Sequence, residues 1–377
     1  MNMTTPPPRI GLQSRPYHRI AVIGGGAWGT ALAAIAASAK RDVCLYTRQP
    51  EVAKAINEDH RNPAYLPDVP LPAELRATSD LAQALRDVDA VMLVVPSRAL
   101  RSVAAQIAPF IPMGLPIAVC SKGIEPDTGL LMSQLVAQEL PGTRIGAISG
   151  PTFARETALG HPTAATVAYT FSHQDRLAPH ESPAARFALS LSTASFRAYI
   201  SDDLVGVEIG GAVKNVIAIA CGMMTGAGFA ENTRAALITR GMDEMKSLAS
   251  ALGGQRETVT GLSGAGDLML TCSSTTSRNM SLGVQLGQGI ARADCFGGRS
   301  VVVEGDANAT SVVDLARRVG VSMPICETVH SILTDKADLR EAFQALWTRP
   351  IEGEPRALDI SLANPVQISA AINTDIS

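Results

Sequence analysis

No two of the six cysteines stand at C-x-x-C spacing; Cys44, Cys120, Cys221, Cys272, Cys295 and Cys326 are scattered along the chain. This argues against a disulfide framework or a structural zinc site, and for reduced thiols in a cytoplasmic protein. The six histidines form no ligand pattern either, so no metal is expected. Charge is sparse. Charged residues make up 18% of the chain and the formal net charge is −3, which removes the electrostatic case for nucleic acid or an anionic membrane as partner. Any basic site must be local. Residues 1–18 hold Pro6, Pro7 and Pro8 but no apolar core, so they read as a disordered extension and not as a secretory signal or an anchor. The most apolar long stretch, residues 205–230, is interrupted by Glu208 and Lys214 and is rich in glycine. A buried helix fits it better than a membrane span. No internal repeat is visible. What is present is 377 residues, 46% of them hydrophobic, enough for two domains with sizeable cores.

The chain is organised around residues 19–30. Ile20 to Ile23 is a short apolar run that suits a buried parallel strand. Gly24, Gly26 and Gly29 follow at G-x-G-x-x-G spacing, and residues 31–39 are nearly all small and helix-compatible. Strand, glycine turn and helix form the context that dinucleotide binding requires. Gly24 permits the tight turn, Gly26 lets a pyrophosphate approach the backbone, and Gly29 lets the helix pack close to the strand. The helix N-terminus offers free N–H groups to the phosphates. The alternative is a purely structural glycine turn.

Apolar runs at 42–46, 90–95, 116–120 and 144–148 read as further strands. They alternate with helices predicted at 50–58, 80–86, after Ser97 and at 128–140. Such alternation predicts a parallel sheet with helices on both faces. Residues 62–72 are proline-rich and read as loop. Strands are predicted at 163–168 and 195–199, separated by a polar, proline-bearing surface loop at 173–183. From residue 202 the periodicity is helical: 204–220, 232–252, 277–286, 309–319, 326–333 and 339–346. The expected organisation is an extension (1–18), an α/β dinucleotide-binding domain of Rossmann type (19–201), an all-helical substrate domain (202–350) and a flexible tail (351–377). The Gly- and Ala-rich helical surface suits a homodimer.

Four stretches carry polar groups in unusual company. Lys122 follows directly on a buried strand, at the sheet edge where ligands of such folds bind; a solvated loop lysine is the alternative. Lys214 and Asn215 sit inside an apolar helix. A buried lysine shifts its pKa readily, which suits proton transfer, although a lysine near a helix surface can snorkel. Gly210 and Gly211 each cost about 1 kcal/mol relative to alanine in mid-helix, which points to close approach of a backbone or a ligand. Asp267, flanked by glycine, could orient Lys214 or simply make a turn. Ser277, Arg278 and Asn279 open a helix; together with its N-terminus they could clamp a phosphate or carboxylate, or be an ordinary cap with a surface arginine.

In this order the stretches resemble the NAD(P)-dependent sn-glycerol-3-phosphate dehydrogenase family, in its bacterial-type soluble form. The resemblance spans roughly residues 20–346. It rests on Gly24-Gly-Gly-Ala-Trp-Gly-Thr-Ala-Leu32, Ser121-Lys-Gly123, Ser149-Gly-Pro-Thr-Phe-Ala154, Gly211-Ala-Val-Lys-Asn215, Thr239-Arg-Gly241, Gly264-Ala-Gly-Asp-Leu268, Thr271-Cys272 with Ser277-Arg-Asn279, Val303-Glu-Gly305, and Gly320-Val-Ser-Met-Pro-Ile325. It implies reversible reduction of dihydroxyacetone phosphate to sn-glycerol 3-phosphate with NAD(P)H, supplying the backbone of glycerophospholipids. It also implies roles. Lys214 exchanges the proton at the substrate C2 oxygen, and Lys122 lies between cofactor and substrate. Gly150, Thr152, Asp267, Ser277, Arg278 and Asn279 contact substrate. Ala27, Trp28, Arg48, Ala154, Val302 and Glu304 contact the cofactor, with Arg278 also near the nucleotide.

The chain departs from the family at Ala27, where serine is frequent. A second departure is Glu304-Gly-Asp-Ala-Asn-Ala309, where many members read Glu-Gly-Val-x-Thr-Ala. Residues 173–183 also match poorly. A 3-hydroxyacid or 6-phosphogluconate dehydrogenase would share the glycine motif and a helical-domain lysine, but not residues 271–279. A non-catalytic dinucleotide sensor would not need Lys214, Asp267 and Arg278 together. The second predicted strand ends at Tyr46, with Arg48 next and no carboxylate before Glu51. An acidic residue there would favour a ribose 2′-OH, whereas Arg48 can pair a 2′-phosphate or stack on the adenine. Use of both NAD and NADP, with NADPH preferred, is the expectation.

Overall fold

A computed structural model describes residues 14–354, 358 and 360–366. The chain divides into two compact units, one of residues 1–121 and 132–204, the other of residues 122–131 and 205–377.

The first unit is built on eight strands: β1 Arg19–Ile23, β2 Asp42–Tyr46, β3 Arg76–Thr78, β4 Ala90–Leu93, β5 Pro116–Val119, β6 Arg144–Ser149, β7 Thr163–Tyr169 and β8 Phe196–Ser201. They form one sheet in the order β3-β2-β1-β4-β5-β6-β7-β8. β1 pairs in parallel with both β2 and β4, so the strand order reverses there, the crevice position where such sheets bind ligands. Ile20, Ala21, Val22 and Ile23 are all buried; covered on both faces, the strand is a continuous apolar run rather than an alternating one.

The parallel expectation fails at one pairing. β7 runs antiparallel to β6, while β8 again runs parallel to β7. Between β6 and β7 the chain carries only the five-residue helix Ala154–Ala158, not the full helix on which a parallel return usually crosses the sheet.

Other local differences have identifiable causes. Residues 173–183 are not loop. His173–Leu177 is helical, held by a capping box between Ser172 and Asp175, and Asp175 is buried against Arg144 Nη2 at 2.6 Å. The Ser-x-x-Asp spacing carried that signal. Pro183–Leu191 forms a further helix, its N-terminus capped by Ser182. Tyr17, assigned to the disordered extension, is buried. Its ring packs edge-on to Phe187 at 5.0 Å and lies under the Arg186 guanidinium. Residues 1–13 of that extension lie outside the described residues.

The second unit is helical from Leu204–Gly226 through Glu231–Ala251, Asp267–Ser273, Arg278–Gly287, Glu304–Arg318 and Pro324–Thr334 to Leu339–Trp347. Leu204–Gly226 is long and apolar enough to cross a membrane, but 89% of its apolar window is buried inside the protein. Close backbone approach explains its glycine content. A Cβ on Gly210 would stand 3.0 Å from the Ser263 carbonyl, and one on Gly222 2.3 Å from that of Met280. The first contact seats the π-helical turn Leu262–Gly266 that precedes Asp267; the second seats the helix that Arg278 opens.

A single cut near Ser201 does not describe the division, because Lys122–Leu131 belongs to the second unit. Ile124 and Leu131 are buried in that unit's core, and Arg318 donates to the carbonyls of Asp127 and Thr128 at 2.7 and 2.8 Å. In the segment expected to be a loose tail, Ile351–Glu352 pairs with Ser361–Leu362, and Glu352 accepts from Arg240 at 3.1 Å. Residues 355–357, 359 and 367–377 lie outside the described residues.

Candidate functional site

In the first unit the glycine turn has the geometry of an anion cradle. Gly24 stands at φ +125°, and a Cβ there would lie 2.2 Å from the Val94 carbonyl oxygen. A Cβ on Gly29 would lie 1.8 Å from the carbonyl of Gly24. Both positions are closed to any side chain. Gly26 is different: a Cβ there would meet nothing within 4 Å. It is the N-cap of Ala27–Ser38, and no side chain caps that helix. The first-turn N–H groups, from Ala27 and Trp28 onward, therefore keep their capacity to bind an anion across the open face of Gly26. These residues fit a dinucleotide pyrophosphate.

Arg48 is exposed just beyond β2, with no ion pair among the described residues. Gly150, at the end of β6, is buried; a Cβ there would stand 2.8 Å from the Ala165 backbone. Thr152 folds back to donate to the Gly150 carbonyl at 3.2 Å, and Ala154 opens its short helix.

In the second unit, Lys214 is only 7% exposed. Its Nζ donates to Asp267 Oδ1 at 3.0 Å and to Thr271 Oγ1 at 2.7 Å. The other carboxylate oxygen of Asp267, Oδ2, accepts from Lys122 Nζ at 2.6 Å. One buried carboxylate thus lies between two ammonium groups. Burial, reinforced by the like charge of Lys122 and opposed by Asp267, lowers the Lys214 pKa below the ordinary lysine value of 10.5. Burial pushes Asp267 upward, but the two ammonium groups outweigh it and hold its carboxyl below the usual range. A lysine eased toward release of its proton and fixed by an ionised partner is suited to general acid–base work.

The neighbouring polar groups are largely committed. Asn215 donates to Glu304 Oε2 at 3.3 Å and accepts from Asn279 Nδ2 at 2.8 Å. Asn279 Oδ1 accepts from the Gly305 N–H at 2.9 Å. The Asn279 amide thus ties three helices together through its oxygen and one of its two N–H groups. Ser277 caps its helix, accepting from Met280 N at 3.3 Å, and among the described residues its hydroxyl donates to no acceptor. Arg278 is exposed, with no ion pair among the described residues. Val302 is half-buried just ahead of Glu304, the first residue of Glu304–Arg318.

Sequence reasoning assigned no role to Thr271, although Asp267 and Thr271 stand four residues apart, one helical turn, which puts both on one face. It also read Asn62 as mere loop. Asn62 is fully buried and donates to the Gly25 carbonyl at 3.0 Å and to Thr30 Oγ1 at 2.8 Å. No periodic signal marks that contact.

Comparison with known proteins gives the family. Residues 19–175 match the model described as NAD-dependent glycerol-3-phosphate dehydrogenase N-terminus, and residues 203–344 the corresponding C-terminus. A glycerol-3-phosphate dehydrogenase [NAD(P)+] of Rhodospirillum rubrum is 48% identical over 335 residues, 89% of this chain and 93% of the relative. One from Parvibaculum lavamentivorans is 46% identical over 338 residues, 90% and 98% of the two chains. The crystal structure of glycerol-3-phosphate dehydrogenase from Coxiella burnetii superposes with a TM-score of 0.79 at 37% identity, covering 88% of this chain and 99% of that one. With both the N-terminal and the C-terminal family models matched over most of its length, the chain belongs to the NAD-dependent glycerol-3-phosphate dehydrogenase family.

Proposed function

We propose that the chain catalyses the reversible reduction of dihydroxyacetone phosphate to sn-glycerol 3-phosphate, with NAD(P)H as reductant, and so supplies the backbone of glycerophospholipids. The observation that carries the chemistry is Lys214, buried and fixed by Asp267 and Thr271. When bound, the dinucleotide supplies the hydride. Lys214 polarises the ketone oxygen and delivers its proton there; in the reverse direction it takes the proton from the C2 hydroxyl. Asp267 holds both ammonium groups, and Thr271 keeps Lys214 on one rotamer. Arg278, the Ser277 hydroxyl and the helix N-terminus behind them take the substrate phosphate. Asn279 and Asn215 set the helices that present these groups. Gly150, Thr152 and Lys122 complete the substrate contacts. The Gly24–Gly29 turn, Ala27, Trp28, Ala154, Val302 and Glu304 hold the cofactor.

Arg48, exposed beyond β2 and with no ion pair among the described residues, supports a preference for NADPH over NADH. The six free thiols support a cytoplasmic location, and whether the chain forms a homodimer is to be measured by sedimentation. The deciding assay follows NADPH oxidation with dihydroxyacetone phosphate, beside NADP reduction with 6-phosphogluconate. Turnover of dihydroxyacetone phosphate alone is expected. Turnover of 6-phosphogluconate would move the chain to another dehydrogenase class, and dinucleotide binding without turnover would make it a sensor.

A further inference from the structure

Asn62 lies 37 residues beyond Gly25 in the chain, outside every motif quoted for this family, yet it is the side chain that grips the glycine turn. From its buried position we infer that Asn62 is a positioning residue for dinucleotide binding, which sets the orientation of the Gly25–Gly26 peptide. The inference rests on the dinucleotide role proposed for that turn.

The argument is one of peptide geometry. Both N–H groups of the Asn62 amide are used on the turn, one on the Gly25 carbonyl and one on Thr30 Oγ1. A peptide unit is planar and trans, so its C=O and N–H point to opposite sides. Drawing the Gly25 carbonyl toward Asn62 therefore turns the Gly26 N–H away from it. The second bond holds Thr30, in the first turn of Ala27–Ser38, and so ties helix and turn to the same amide. Without Asn62, two flanking glycines would leave that peptide free to rotate, because glycine resists few backbone conformations.

Asn62 is itself held firmly. Its Oδ1 accepts from Tyr65 N at 3.2 Å and its carbonyl from Leu66 N at 2.9 Å. Leu66, Val69 and Leu71 anchor the following loop in the core. Asp68, on that loop, pairs with Arg155 of the helix Ala154–Ala158, so the same loop is fastened to the element that carries Ala154. The loop between 62 and 72 is thereby a strap on the turn.

The test is Asn62→Ala, with Asn57→Ala as control. Asn57 also uses its amide twice, on the N–H and C=O of Ala77 in the edge strand β3, away from the turn. NADPH binding is titrated by its fluorescence, melting is followed without ligand, and exchange of the Gly26 amide is read by NMR in the unliganded protein. Loss of a buried hydrogen bond to the turn is expected to raise the NADPH Kd about tenfold, with faster Gly26 exchange. The KM for dihydroxyacetone phosphate and kcat at saturating NADPH should stay within about twofold. Asn57→Ala should lower Tm and leave the Kd unchanged. An Asn62→Ala protein that melts lower but binds NADPH as wild type does would overturn the inference. If Asn62→Ala does not fold, Thr30→Val decides, since it removes one of the two bonds: a weaker NADPH Kd supports the role and an unchanged one overturns it. Failure of the wild type to bind NADPH would instead remove the dinucleotide reading, and Gly26 exchange would still report whether Asn62 holds the peptide.

Discussion

Alanine placed at each of the three motif glycines should separate folding from binding. At Gly29 the new Cβ falls 1.8 Å from the Gly24 carbonyl oxygen, and at Gly24 it falls 2.2 Å from that of Val94. Both neighbours are backbone and neither can rotate away. Overpacking of this kind costs about 1–3 kcal/mol or more, and Gly24 adds the strain of a side chain at φ +125°. Both variants should melt well below wild type or fail to accumulate. Gly26→Ala should not. Its backbone, at φ −72° and ψ 179°, suits any residue, and the Cβ meets nothing within 4 Å. Only the N-cap preference is lost, about 1 kcal/mol, or about 2–4 °C in Tm. The same Cβ occupies the space through which a pyrophosphate reaches the helix N–H groups. A hydrogen bond to a charged group is worth about 1.5–3 kcal/mol, so the Kd for NADPH should rise about 10- to 100-fold. Thermal melts without ligand and fluorescence titration with NADPH measure both quantities on the same samples. A Gly26→Ala protein that binds as tightly as wild type, or that melts as low as Gly29→Ala, would refute this account of the turn.

Lys214→Ala should lower kcat by about 10²–10⁴ while NADPH binding stays near wild type; a folded variant with near-normal kcat would remove Lys214 from proton transfer. Burial lowers the Lys214 pKa from 10.5, and reduction needs the ammonium. The alkaline decline of dihydroxyacetone phosphate reduction should therefore begin below pH 10.5, while glycerol 3-phosphate oxidation, which needs the neutral amine, rises over the same interval. The pH profiles of kcat in both directions check the sign, and parallel profiles would contradict it. Arg278→Ala should weaken dihydroxyacetone phosphate far more than neutral dihydroxyacetone, as read from the two KM values; equal losses would make Arg278 structural. Arg48→Ala should raise KM for NADPH much more than for NADH at matched salt, whereas equal losses would favour stacking on the adenine.

Much of the molecule was legible along the chain. The glycine turn, the buried strands Ile20–Ile23 and 90–93, and the long helices announce themselves because their signals repeat over a few residues and reflect only which face is covered. Lys214 stood out because a cation within an apolar helix breaks that pattern. Tertiary structure decided the rest. It turned β7 against β6 and assigned Lys122 to the helical unit. It placed Asp267 between Lys122 and Lys214, across 145 and 53 residues of chain. It turned the Asn279 amide inward onto Asn215 and Gly305, and it brought Asn62 onto Gly25. The side-chain pairings among these are hydrogen bonds 2.6–3.0 Å long, made to another side chain or to a glycine backbone group. They depend on close packing of whole elements, such as the approach of Gly210 to Ser263, rather than on the residues that flank them. Local periodicity states which side of a helix or strand is buried; only the packed core determines which buried group it meets.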